Sequence, residues 1–141
     1  MDLRIMPRRK RLRKVVAPPG FKGFKPYGNR KLKGEFVELP YEEYEAIKLT
    51  DYDLMNHQEA AAMMGISRPT FARIYESARR NIARALVETR EIRSVFGNAW
   101  LDKSWYVCSD CQVRFTIPSE MKGNGCPLCK SDHIQPIRQS T

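Results

Sequence analysis

The sequence predicts a mainly α protein: a small helical bundle preceded by a basic arm and followed by a small β module. Three observations predict this fold class. Apolar residues recur at spacings of three and four from Phe71 to Leu86, the period of an amphipathic helix. Capping residues and a glycine punctuate the stretch just before it. All four cysteines fall in two CxxC pairs within the last quarter of the chain. The expected division is a basic arm over residues 1–34, a helical domain over 35–93, a linker over 94–104 and a cysteine module over 105–141.

A chain of 141 residues suits one domain or two small ones, and is too short for a large barrel or a doubly wound enzyme. The net charge of +9 implies an anionic partner. It is unevenly spread. Residues 1–33 carry 12 basic groups and 1 acidic, residues 34–55 carry 1 basic and 7 acidic, and residues 56–93 carry 7 basic and 4 acidic. The arm therefore holds most of the excess. Arg8, Arg9, Lys10, Arg11, Arg13 and Lys14 form a dense run. Lys22, Lys25, Arg30, Lys31 and Lys33 follow, interleaved with Phe21, Phe24 and Tyr27. With its Pro and Gly content the arm reads as mostly extended. The blander reading is a non-specific tail; the sharper one is a segment that tracks phosphates or enters the minor groove.

A helix is expected from about Pro40 to Tyr52. Glu42, Glu43 and Glu45 fall in its first turns, where carboxylates suit the positive end of the dipole. Tyr41, Tyr44, Ile47 and Leu49 would form its apolar side. No histidine, nucleophile or phosphate loop accompanies the carboxylates, so acid–base chemistry is not expected. The helix reads as a support that packs behind the helical pair described next; a surface that docks a basic partner, or this chain's own arm, is the alternative.

A helical pair is expected from about Asn56 to Arg90. Asn56 and Glu59 have the spacing of a capping box. Gly65 supplies the left-handed turn, and Ser67 caps a second helix with Pro69 in its first turn. In that helix Phe71, Ile74, Ala78, Ile82 and Leu86 form the inner stripe, and Arg68, Thr70, Arg73, Glu76, Arg79, Arg80 and Arg84 the outer face. Short helix, glycine turn and basic second helix make a helix-turn-helix, whose second helix lies in the major groove of double-stranded DNA. Base contacts are assigned to Arg68, Pro69, Thr70, Arg73 and Glu76. Arginine offers a bidentate fork to guanine, threonine a contact to the thymine methyl, and glutamate an acceptor for cytosine. Phosphate contacts are assigned to Ser67, Arg79, Arg80 and Arg84, and in the arm to Arg8, Arg9, Lys10, Arg11, Arg13 and Lys14. The alternative is a solvated basic face on a helical bundle.

These residues carry a resemblance. Gln58-Glu59-Ala60-Ala61, Met64-Gly65-Ile66-Ser67-Arg68, Thr70-Phe71, Arg73-Ile74 and Ser77-Ala78-Arg79-Arg80 resemble a family of small, uncharacterised prokaryotic proteins labelled as predicted DNA-binding. Its helix-turn-helix is similar to region four of bacterial sigma factors. Met6-Pro7-Arg8, Phe24-Lys25-Pro26 with Gly28, and the run Glu42 to Leu49 extend the likeness, which covers about residues 6–88. The chain departs from the family pattern in lacking a cysteine soon after Pro7-Arg8, and in its C-terminal cysteine module. The resemblance implies DNA binding and regulation of transcription.

Cys108 and Cys111 pair with Cys126 and Cys129 across fourteen residues. Four thiolates at that spacing wrap one tetrahedral Zn²⁺ as a structural site. Short strands are expected at Trp105–Val107 and Val113–Ile117, the pattern of a zinc ribbon. Iron in the same four-sulfur cage is the metal alternative, and a thiol–disulfide pair the redox one. His133 and His57 read as surface residues. A closed four-ligand site leaves no open position for substrate, so the chain is not expected to be an enzyme. The leading functional expectation is a sequence-specific regulator that binds double-stranded DNA as a homodimer, since one short helix reads few base pairs. The alternative is an accessory factor that docks on RNA polymerase, or binds RNA through the arm and ribbon. The longest near-apolar run, Ala60 to Ile66, is too short to cross a bilayer. With no signal-like segment, a cytoplasmic location away from membranes is expected.

Overall fold

In a computed structural model of the chain, residues 12–28, 34–117 and 125–138 are described. They form eight strands and three α-helices. The strands are β1 (Arg13–Val15), β2 (Gly23–Phe24), β3 (Val37–Pro40), β4 (Ile92–Val95), β5 (Ala99–Leu101), β6 (Trp105–Cys108), β7 (Arg114–Thr116) and β8 (Ile134–Pro136). The helices are α1 (Tyr41–Ile47), α2 (His57–Met64) and α3 (Arg68–Glu88), and a π-helical turn over Lys48–Tyr52 continues α1. Three small sheets result: β1 beside β5, the order β2-β4-β3, and the order β7-β6-β8. The fold is therefore α/β, which corrects the mainly α expectation. The strands are two to four residues long, too short for an alternating pattern to stand out, and several pair across great sequence distance.

β3 and β4 are adjacent and parallel, with Val37 opposite Ile92 and Pro40 opposite Val95. All three helices ride on the connection between them. β2 adds antiparallel to the other edge of β4, and β1 runs parallel to β5. The segment expected as an extended arm is thus, from Leu12 on, partly strand. The segment expected as the linker 94–104 carries the end of β4 and all of β5.

The helical core gathers Ala46, Leu49, Ala60, Ala61, Met64, Phe71 and Tyr75, with Met55, Ile66 and Ile74 packed on it. The stripe of α3 differs from expectation at one end. Leu86 is 74% exposed, while Ala85 beside it and Tyr75 further up are buried. Tyr75 satisfies its hydroxyl by donating to the Asp51 carboxylate at 2.7 Å, which lets an aromatic ring with a polar end enter the core.

Of the apolar side expected for α1 and the turn that continues it, Leu49 is in the core, but the three carboxylates are more deeply buried than the other three members. Glu42, Glu43 and Glu45 are buried, and Tyr41, Tyr44 and Ile47 are half-buried. The carboxylates hold other segments by their donors. Glu42 accepts the Asn98 N–H at 3.0 and 3.2 Å. Glu43 accepts from the Ser77 hydroxyl at 3.0 Å and the Asn81 amide at 2.7 Å. Glu45, 1% exposed, accepts the Val16 N–H at 2.8 Å and so fixes the chain just after β1 onto the helix. The acidic helix does dock this chain's own arm, through a backbone donor rather than a cation.

Candidate functional site

The local build of α2 and α3 follows from their termini. Asn56 accepts the Glu59 N–H at 2.8 Å, and Glu59 accepts the Asn56 N–H at 3.2 Å, the reciprocal capping box. Gly65 ends α2 in the left-handed region at φ 67°, and Ser67 caps α3 with Pro69 in the first turn. The turn between the helices is thus three residues, Gly65 to Ser67. α3 then runs 21 residues, about 30 Å at 1.5 Å per residue.

Its outer face is cationic. Arg68, Arg73, Arg79, Arg80 and Arg84 are exposed, as are Pro69 and Glu76, and Thr70 is half-buried. Near the N-terminus the Ser67 hydroxyl donates to Thr70 Oγ1 at 2.9 Å, and the Arg73 guanidinium donates to the same oxygen at 3.3 Å. One contact therefore orients Arg73 while leaving the rest of its fork outward. Glu76 pairs with Arg80 at 2.8 Å, an exposed helical pair worth a few tenths of a kcal/mol. Arg79 lies over the Tyr75 ring at 5.5 Å. Arg84 reaches Asn81, the residue that holds Glu43. The expected base and phosphate residues of this helix thus share one continuous surface.

The arm residues divide. Arg8, Arg9, Lys10 and Arg11 lie outside the described residues. Arg13 sits half-buried in β1, its Nε and Nη1 buried without a partner among the described residues. Lys14 pairs with Asp102 at 3.6 Å and lies 5.7 Å from the centre of the Trp100 ring. Both are built into the β1–β5 pair. The His57 ring meets that of Phe71 edge-on at 5.2 Å and lies tilted against that of Tyr75 at 5.3 Å.

The second site is the cysteine cluster. Among the described residues, the sulfurs of Cys108, Cys111, Cys126 and Cys129 all lie within 4.8 Å of one another. Cys108 and Cys129 Sγ are 3.6 Å apart, and Cys111 and Cys126 Sγ 3.5 Å. A tetrahedral ion with bonds of about 2.3 Å sets its sulfurs roughly 3.8 Å apart, so the four fit such an ion. The two knuckles repeat one geometry. In each, the first cysteine carbonyl accepts the N–H of the fifth residue, Gln112 at 2.9 Å and Lys130 at 3.0 Å, and that residue takes a positive φ, 66° and 65°. In each, the N–H of the closing cysteine points at the first sulfur, at 3.5 and 3.4 Å. Burial works against a Cys126 thiolate, but the N–H groups of Cys129 and Leu128 and the neighbouring thiols outweigh it, taking the group down to about 6. The expected strands are present as β6 and β7, with β8 on the other edge of β6. His133 is exposed and stands outside the sulfur cluster. It meets Asp110 at 3.1 Å, and Ser131 hydrogen-bonds the same carboxylate, which ties the two knuckles together.

Sequence reasoning missed the buried carboxylates of α1, yet a signal existed. Glu42, Glu45, Ala46 and Leu49 stand at i, i+3, i+4 and i+7, one helix face, and Ala46 and Leu49 are its core members.

Fold and sites together define an α/β chain that pairs an exposed cationic helix with a four-thiol cluster fit for a metal ion. The chain belongs to the family described as "Protein of unknown function DUF134", whose pattern matches residues 3–99. It is similar to a UPF0251 protein of Chloroherpeton thalassium, 42% identical over 134 residues that cover 94% of this chain and 88% of the relative. A UPF0251 protein of Methanothermobacter thermautotrophicus is 40% identical over 136 residues, 96% of this chain and 70% of the relative. One from Pelotomaculum thermopropionicum is 41% identical over 128 residues, 89% and 95% of the two chains. No solved structure matches the chain. The family match ends ahead of Cys108, whereas the alignment that covers 96% of the chain runs on through the cysteine module. Among the described residues no helix is long and apolar enough to cross a membrane.

Proposed function

We propose that this chain is a sequence-specific double-stranded DNA-binding protein that regulates transcription, with α2 and α3 as a helix-turn-helix similar to sigma region four. One observation carries the reading: α3 buries Phe71, Tyr75, Ala78 and Ala85 on one side and exposes five arginines on the other. A helix held rigidly by its inner face can present a fixed set of donors to a groove. Arg68, Pro69, Thr70, Arg73 and Glu76, at the N-terminal end, take the base edges. Ser67, Arg79, Arg80 and Arg84, with Arg8 to Arg11 of the arm, take phosphates. Two copies bind as a homodimer in the cytoplasm.

The cysteine cluster holds one structural Zn²⁺ as a zinc ribbon. The N–H groups of Leu128 and Cys129 point at the Cys126 sulfur, which favours its thiolate, and the site closes with four protein ligands. The ion supplies folding energy to a module with a small core of its own.

Selection of bound duplexes from a random library, at about 0.15 M salt to suppress purely electrostatic binding, tests the reading. A recovered motif with two half-sites about one helical turn apart is expected. Recovery of unrelated sequences by a folded, metal-loaded protein would refute it.

A further inference from the structure

A second cationic feature is built from residues in and beside β2 and β4 rather than from α3. A cleft of about 620 Å³ is lined by Lys22, Gly23, Lys25, Glu91 and Arg93, where β2 meets β4. Its backbone is fixed. Gly23 opposes Arg93 in the strand register, and a Cβ on Gly23 would collide with the Ile92 carbonyl, so only glycine lets the strands approach this closely. Ser94 anchors the same turn, with its N–H donating to the Lys22 carbonyl at 3.1 Å and its hydroxyl to the Phe21 carbonyl at 3.2 Å. These bonds set Lys22 and Lys25 on either side of the Gly23–Phe24 strand.

Arg93 is also held in place. Its guanidinium lies 3.9 Å from the centre of the Phe36 ring, and Nε donates to Glu91 at 2.8 Å. Among the described lining residues Glu91 is the one carboxylate, against three cations. Among the described residues neither lysine forms a salt bridge, although Lys25 joins Arg93 in holding the Glu91 carboxyl below its usual value. An open cleft with a net charge of +2 and a stacked, pre-oriented guanidinium matches a phosphate group, which accepts from several donors at once.

We propose that this cleft is a phosphate-binding site, with Lys22, Lys25 and Arg93 as its donors. The phosphate belongs either to the DNA backbone, which rests on the function proposed above, or to a free phosphorylated compound, which does not.

The test uses full-length, metal-loaded protein and the variants Lys22→Gln/Lys25→Gln, Arg93→Gln and, as a control, Arg73→Ala. Far-UV circular dichroism checks that each is folded; all these side chains are exposed. Inorganic pyrophosphate is titrated by calorimetry, and duplex DNA by fluorescence anisotropy across a salt series. If the phosphate is free, the double lysine variant and Arg93→Gln each weaken pyrophosphate binding at least about tenfold, and Arg73→Ala leaves it unchanged. If it is the backbone, the double lysine variant weakens binding to every duplex, and the log–log salt slope falls by about 1.8, two phosphates at about 0.9 each. Loss in either arm supports the site and names the source. Unchanged pyrophosphate and DNA binding in the folded variants would overturn it. Failure of the wild type to bind any duplex would count against the proposed function alone, because the pyrophosphate arm stands by itself.

Discussion

Gly65 and Gly97 provide a matched pair for testing how α1 is tied to the sheet. Both take a left-handed φ, 67° and 68°, so alanine at either position meets the same backbone penalty of about 1–2 kcal/mol. Their surroundings differ. A Cβ at Gly65 meets nothing within 4 Å, whereas one at Gly97 collides with the Glu42 carboxylate and stands 2.8 Å from Pro40 Cβ. The proline ring cannot yield. Glu42 can swing away only by abandoning the Asn98 N–H and leaving a buried carboxylate without it. A hydrogen bond to a charged group contributes about 1.5–3 kcal/mol. Gly65→Ala should therefore lose about 1–2 kcal/mol and Gly97→Ala about 2.5–5. Urea unfolding followed by circular dichroism measures both, with the denaturant slope showing whether the two-state description holds. Equal losses in the two variants would refute the claim that Glu42 anchors the chain ahead of β5.

Three other outcomes follow from the same contacts. Burial raises the Glu45 carboxyl above its ordinary value of 4.5, against the Val16 N–H, and burial raises Glu43 likewise. A carboxyl raised on folding contributes stability while protonated and loses it as pH climbs through the folded value. Glu45→Gln should thus flatten the fall in urea midpoint from pH 4.5 upward, and a parallel curve in the variant would contradict the assignment. Treatment with a chelator should unfold the β6–β8 module, read by Trp105 fluorescence in a Trp100→Phe background, while the far-UV helical signal largely persists; equal loss of both would deny the modules independence. Deleting residues 1–11, which leaves β1 intact, should weaken binding on every duplex and reduce the salt slope, and an unchanged slope would remove the arm from the DNA.

Local chemistry was readable in the sequence where it is completed within a few residues. The capping box of Asn56 and Glu59, the left-handed Gly65 and the Ser67 cap each need only neighbours, and all three are in place. So are the paired cysteines, whose spacing encodes the knuckle. What escaped depends on distant partners. β1 finds β5 more than eighty residues away, and β3 finds β4 across the whole helical segment. Neither strand is long enough to announce itself by alternation. The carboxylates of α1 escaped because residue type suggests solvent, whereas their donors, Val16, Ser77, Asn81 and Asn98, come from elsewhere in the chain. Periodicity places Leu86 inward, but the helix turns its smaller neighbour Ala85 to the core there.

The central claim is that the N-terminal end of α3 reads base sequence. It is tested most directly by measuring the affinity of wild type and Arg73→Ala for a duplex recovered by selection, and for the same duplex with one base pair of the motif exchanged. Removing the fork should weaken binding to the recovered duplex by about 1–3 kcal/mol and abolish the distinction at one base pair. An equal loss on both duplexes, with the preference intact, would place Arg73 on a phosphate and contradict the claim.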